Sequence, residues 1–270
     1  MPLRLRYQGE TPIPVEIDGL IPSAVRDKPR DDIRRLEIFH GNRRLPLAEM
    51  FEVSGDPSDE RIEFEGDLSG VHRIGSGMDS GEIRVAGSAG RHVGSEMTGG
   101  SILIEGNVGD WLGAQTHGGR IEVLGRAGDS VGAAYRGSPR GMSGGTILVH
   151  GPAGNAIGHS MRRGLIAVGG AADAVGLEMI AGTILVFGPS GIRHGAAMRR
   201  GTIGLFGPER PPLLPTFRHA CRFRPVFLVM LLGWLRQQGY PCPVDPAPAE
   251  WELFHGDLLA LGRGEILLPA

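Results

Sequence analysis

The sequence predicts a mainly β protein: a right-handed parallel β-helix of about seven turns, with an N-terminal β cap and a C-terminal helix. Three observations lead there. Glycine supplies 45 of 270 residues, roughly two to three times its usual share, with no three-residue period that would indicate collagen. A unit repeats from Met78, Met97, Thr116, Met142, Met161, Met179 and Met198, at spacings of 19, 19, 26, 19, 18 and 19 residues. Within each unit, Gly, Ile and a second aliphatic residue stand at fixed offsets, as in Gly100, Ile102 and Ile104.

The strand comes from alternation. Ile and the aliphatic residue two places later point to one side of an extended chain, and the residue between them points away. A strand this short cannot bury its apolar face alone, so units stack in register, rising about 4.8 Å per turn. The corners come from glycine, which turns where a side chain would clash. Each unit closes on an apolar–Gly pair such as Val93-Gly94 or Leu112-Gly113, with His194-Gly195 the polar exception. A 19-residue unit leaves no room for a crossover helix, which disfavours βαβ units. An antiparallel sandwich remains the alternative, although it would not require matching columns.

Between Thr116 and Met142 seven extra residues enter, and Ala133–Gly141 reads as a loop thrust from one corner. Such insertions in stacked repeats often mark a binding face. The ends must be covered. Residues 1–60 are expected to form an N-terminal cap with short strands at 3–7 and 36–39, residues 61–207 the repeats, and residues 208–270 a tail. Ile62-Glu-Phe64 reads as an earlier, atypical turn with Ile74-Gly75 as its closing pair. In the tail, Val226–Leu235 followed by Gly239 reads as an apolar helix with a glycine stop. Leu148, Leu185, Phe187 and Phe206 are expected to point outward on the late turns, and the helix is expected to lie over them.

A formal net charge of −2 gives no basis for nucleic acid or an acidic membrane as partner. The longest apolar run is too short to span a bilayer and the first residues lack a signal-peptide core, so a soluble cytoplasmic protein is expected. Cys221 and Cys242 are too far apart in sequence for an iron–sulfur or zinc motif. His92, His117, His150, His159 and His194 fall in different columns, so no metal site is expected. No catalytic residue stands out, and the glycine-rich corners lack the following helix that a phosphate cradle needs. One polar feature repeats: Arg162-Arg163 and Arg199-Arg200 occupy identical columns two turns apart. They form a basic patch about 10 Å long that Arg136 and Arg140 on the inserted loop can join. A carboxylate-rich ligand or an acidic partner surface suits such a patch; a solvated arginine face is the plainer reading.

The repeat resembles the β-helix shared by the C subunit of formylmethanofuran dehydrogenase and the C-terminal domain of the glutamate synthase large subunit. The tail Gly256-Asp257…Gly262-Arg-Gly264-Glu265-Ile266 resembles the ending of the former family. That resemblance implies one-carbon metabolism. In methylotrophic bacteria the relatives belong to a formyltransferase/hydrolase complex, which moves a formyl group from tetrahydromethanopterin to a methanofuran-type carrier and releases formate. There, the A-type and D-type subunits hold the metal and transferase sites, so a C-type chain is implied to be a scaffold among A, B and D partners, with no cofactor bound by this chain alone. The carriers of this family bear glutamate chains, which would suit the arginine patch. The alternatives are the C subunit of a molybdenum or tungsten dehydrogenase, a glutamate-synthase-like module, and a free-standing ligand-binding solenoid.

Overall fold

The computed structural model describes residues 2–9, 11–243 and 250–270. The N-terminal part holds β1 (Leu3–Tyr7), β2 (Val15–Glu16), α1 (Pro22–Val25), α2 (Arg30–Arg34), β3 (Glu37–His40), β4 (Arg43–Pro46) and β5 (Phe51–Ser54). The middle holds β6 (Arg61–Glu65), β7 (Val71–His72), β8 (Glu82–Ala86), β9 (Ser101–Ile104), β10 (Arg120–Val123), β11 (Thr146–Ala153), β12 (Leu165–Ala171), β13 (Thr183–Val186) and β14 (Arg200–Leu205). The last part holds β15 (Arg218–Phe223), α3 (Val226–Gln237), β16 (Trp251–Gly256) and β17 (Arg263–Pro269). Thirteen of the described strands form one mostly parallel sheet in the order β15-β16-β17-β14-β13-β12-β11-β10-β9-β8-β6-β1-β5. A smaller sheet runs β4-β3-β2-β7.

The repeat dictates the register. Ile62, Ile83, Ile102, Ile121, Ile147, Ile166, Ile184 and Ile203 are successive Cα partners across the large sheet. All lie at 2 % exposure or less, so the column is interior. Further columns run parallel to it. Leu68, Ala89, Val108 and Ala127 are joined by parallel bridges. Each closing glycine donates to the apolar residue of the preceding closing pair, as Gly113 N does to Val93 O at 2.8 Å and Gly132 N to Leu112 O at 2.8 Å. A polar ladder follows on the surface. Asp110, Asp129, Asn155 and Asp173 each accept on Oδ1 from the next rung's backbone N–H, at 2.7 to 3.1 Å.

Glycine does more than turn the chain. Gly113 has φ +58°, and a Cβ there would stand 2.5 Å from Ile147 Cδ1, so the isoleucine column fills the space that a side chain would need. Nor does glycine turn the chain alone. His92 and Glu96 flank Gly94, and Trp111 and Gln115 flank Gly113, all with φ between 55° and 64°. These side-chain-bearing residues are held in the left-handed region by the stacked rungs on either side, which outweigh a local preference of about 1–2 kcal/mol.

Both ends of the sheet recruit distant segments. β1 adds in parallel to β6, placing Leu3 beside Ile62, and β5 closes that edge antiparallel to β1. At the other end β17 adds in parallel to β14, placing Ile266 beside Ile203. The 3–7 strand and the early rung at Ile62 match the sequence reading, and Ile74-Gly75 closes that rung as expected, with Gly75 at φ +66°.

The outward face changes character along the sheet. Early rungs carry ion pairs between neighbouring strands: Arg4–Glu63, Arg61–Glu82 and Arg84–Glu105. Late rungs carry Leu148, Leu185, Phe187 and Phe206, which form a second core with Leu228, Leu232 and Leu235 of α3 and with Tyr240, Trp251 and Leu267. The helix therefore lies where the sequence places it. It stops at Gly239 (φ +81°), where Tyr240 N donates to Leu235 O and Gly239 N to Arg236 O, the paired bonds of a Schellman ending. Tyr240 is buried and donates its hydroxyl to Val149 O at 2.9 Å. Burial, with a smaller contribution from Cys242, pushes that phenol well above its ordinary range.

Candidate functional site

A concavity lies along one corner of the stack. Arg162 and Arg199 each follow a buried methionine, and each backbone N–H bonds to the methionine one rung earlier, Met142 O at 2.8 Å and Met179 O at 2.7 Å. Ile180 occupies the rung between, bonding to Met161 O. The two arginines thus stand two rungs apart, about 10 Å, with an apolar residue between them.

The inserted loop forms the facing wall. Ala134 N donates to His159 O and Gly141 N to Ser160 O, so both ends of the insertion are pinned to the following rung. Gln115 Nε2 donates to Arg140 O at 3.3 Å. Tyr135 reaches across two rungs to meet His92 Nδ1 at 2.9 Å and packs against Trp111 with ring centres 5.1 Å apart. Burial pushes the His92 imidazole down, helped by Arg73, so it meets Tyr135 in its neutral form.

Two lobes result, of about 860 and 480 Å³, sharing Ser138, Pro139, Arg140 and Arg162. Arg199 lines the larger lobe and Arg163 the smaller. Among the described residues, the guanidinium groups of Arg140, Arg162, Arg163 and Arg199 have no carboxylate partner. The acid in the larger lobe, Glu178, faces His159 at 3.5 Å. Four cations against one carboxylate, with Ile180, Pro139 and Leu261 as apolar lining, suit a ligand with several carboxylates and an uncharged stem. Of the six arginines singled out in the sequence, four meet here. Arg136 is exposed on the loop outside the lining, and Arg200 lies on β14 in register with Arg263.

The tail supplies a wall the sequence reading did not place. Asp257 is buried; its Oδ2 accepts from Ala197 N at 3.0 Å and its Oδ1 from Leu259 N at 2.9 Å. Burial alone would raise its carboxyl, but these backbone N–H groups, with a smaller pull from Thr216, hold it below the usual carboxylate range. The loop at 257–262 is thereby tied to the corner that precedes Arg199, and Leu261 borders the cleft. The signal was present in the Gly-Asp…Gly-x-Gly-Glu-Ile motif. A Cβ on Gly256 would meet the Phe217 ring at 2.5 Å, and one on Gly264 would meet Met198 at 2.6 Å.

The histidines are dispersed as the columns predict. His117 meets Ser143 at 2.6 Å and His150 meets Glu122 at 2.9 Å. His194 is buried in the closing column, with neither ring nitrogen hydrogen-bonded in good geometry. Burial pushes its imidazole down, against smaller upward pulls from the Gly191 backbone and Asp173. Among the described residues, no group of three or more His, Cys, Asp or Glu is arranged to hold a metal ion, and no helix is long and apolar enough to cross a membrane.

No family model matches the sequence. Over 79 residues, 29 % of this chain, it is 43 % identical to the C subunit of the molybdenum-containing formylmethanofuran dehydrogenase 1 of Methanothermobacter thermautotrophicus, and covers 20 % of that protein. The C subunit of the tungsten-containing formylmethanofuran dehydrogenase 2 of the same organism is 42 % identical over 80 residues, with 30 % of its length covered. The chain thus spans less than a third of these curated relatives. The structural likeness extends much further. A chain in the crystal structure of the formyltransferase/hydrolase complex (FhcABCD) from Methylorubrum extorquens, in complex with methylofuran, superposes with a TM-score of 0.91 and 32 % identity, covering 99 % of both chains. With 99 % of both chains superposed at 32 % identity, and the curated C subunits matched locally, the chain belongs to the family of formylmethanofuran dehydrogenase C subunits.

Proposed function

We propose that this chain is a scaffolding subunit of a formyltransferase/hydrolase complex, one that passes a formyl group from tetrahydromethanopterin to a methanofuran-type carrier and releases formate. The observation that carries this is the likeness over 99 % of both chains to a member of such a complex. The likeness to the molybdenum and tungsten dehydrogenase subunits is local, so it favours common descent more than a common assembly. In this reading the chain winds as a right-handed parallel β-helix of about seven turns, supported by the parallel columns of rung-to-rung bonds. Residues 1–60 and 208–270 close its ends, and residues 61–207 supply the length between partner subunits.

The cleft of Arg140, Arg162, Arg163 and Arg199 is the contact for a carboxylate-rich group, such as the glutamate tail of the carrier. Its support is the set of four cations lacking carboxylate partners, placed on either side of Ile180 and beneath the insertion. Two experiments test the two halves. Purification of the tagged full chain from its native host should retrieve partners with formyltransferase and hydrolase activity; an active chain without partners would defeat the scaffold reading. In the assembled complex, replacing Arg162, Arg163 and Arg199 with Ala should weaken poly-L-glutamate binding by at least about tenfold and flatten its salt dependence. Unchanged binding would remove the cleft from this role.

A further inference from the structure

The C-terminal edge of the large sheet differs from its other edge. At the N-terminal edge, β5 is packed along its flank by α2 and by the 3-10 turn at Leu47–Glu49. At the C-terminal edge, among the described residues, β15 pairs only with β16, and its first five residues, Arg218 to Arg222, are exposed. A six-residue strand exposed on both faces presents a row of free N–H and C=O groups. Its charge is one-sided. Arg218 and Arg224 have no carboxylate partner among the described residues. Arg222 shares Glu252 with Arg210, at 2.7 and 2.5 Å, so two of these four guanidinium groups divide one carboxylate and the other two have none.

Directly after this strand, the outer face of α3 leaves Val226 and Met230 more than 70 % exposed, with Phe227 at 45 %. Charges along an edge can serve simply to keep other chains away. An edge serving only that end would not adjoin an uncovered apolar helix face.

We propose that β15 receives an extended, acidic segment of a different subunit, which adds antiparallel or parallel to the edge as a fourteenth strand while its apolar residues cover the start of α3. A second copy of this chain fits poorly. Pairing two β15 strands about a twofold axis at Ala220 would set Arg218 against Arg222 on both sides, and like charges directly opposite destabilise a strand pair. An acidic segment reverses that sign and gains main-chain bonds at the same time.

The inference rests on the subunit reading, and its test separates the two. Hydrogen exchange of the backbone amides at 218–223 is measured on the full chain alone and in the complex purified from the native host. Assembly should slow the outward-facing amides at least about tenfold, because a paired edge N–H exchanges only when the pairing opens. Arg218→Glu with Arg224→Glu should leave the melting temperature of the chain unchanged, since neither arginine has a carboxylate partner among the described residues. The same double variant should slow association with partners about tenfold at low salt, with the difference fading at high salt. If a complex forms and these amides exchange as fast as in the chain alone, the edge is not the dock and the inference falls while the subunit reading stands. If protection appears in the isolated chain and grows with its concentration, a second copy is the occupant and the inference also falls. Unchanged association by the charge-reversed variant would refute the acidic partner. If no partner is retrieved at all, the subunit reading fails and this inference fails with it.

Discussion

Replacing Asp257 with Asn tests how the tail is held on the stack. The carboxylate is buried and accepts two backbone N–H bonds, from Ala197 at 3.0 Å and Leu259 at 2.9 Å. Asn keeps the shape and one acceptor oxygen, but turns an NH₂ group toward one of the two donors. Hydrogen bonds to a charged acceptor contribute about 1.5–3 kcal/mol each, so Asp257→Asn should cost about 2 kcal/mol. For a chain this long that corresponds to a fall of roughly 4–8 °C in Tm. Because the folded carboxyl lies below its ordinary value, its stabilisation is complete above the unfolded value of about 3.9 and is lost as pH falls through the folded one. The gap between wild type and variant should therefore be level from about pH 5 to 8 and close below about pH 4. Calorimetry across that range is the assay, with hydrogen exchange at 257–262 as a local readout. A Tm within about 1 °C of wild type at pH 7, or a gap that persists at the acid end, would show that Asp257 does not hold the loop through its charge.

Two further outcomes follow from the interior columns. His194→Leu replaces a buried imidazole lacking well-formed hydrogen bonds with the residue type found at Leu112 in the same column. It should stabilise the chain by about 1–3 kcal/mol at pH 7.5. Since the folded imidazole lies below its unfolded value of about 6.5, the wild type loses stability as pH falls below that value and the advantage should widen toward pH 5; urea titrations at pH 5 and 7.5 decide it. Gly113→Ala adds a Cβ at φ +58° and 2.5 Å from Ile147 Cδ1, and should cost about 2–4 kcal/mol from backbone and packing together. Ile147→Val removes the clashing methyl, so the double variant should be more stable than the two separate costs predict, and strict additivity in chemical denaturation would contradict the contact.

The rungs were legible in the sequence because the same physical requirement recurs seven times: Ile83 through Ile203 must share an interior column, and the glycines must clear space for it. The site of the helix was legible because Leu185 and Phe206 stand where earlier rungs carry Arg84 and Glu105. Other features left no periodic mark. β1 and β17 extend the ladder from either end of the chain, yet β1 lacks the repeat's glycines and β17 keeps only Gly264-x-Ile266 of it, with no methionine before. Among the described residues, thirteen positive-φ positions fall on residues other than glycine, such as Trp111 and Glu96, whose types give no hint of positive φ. The cleft was half visible: its arginines repeat in sequence, whereas Leu261 comes from a tail that only a buried carboxylate brings into place.

Register in the isoleucine column also has a metric consequence. Twelve strand-to-strand steps separate β5 from β15, about 58 Å at 4.8 Å each. Each repeat inserted or deleted in phase would change that distance by one fixed increment while leaving both closing ends intact. The chain is in effect a ruler graduated in units of about nineteen residues, and the number of graduations sets how far apart anything bound at its two ends is held.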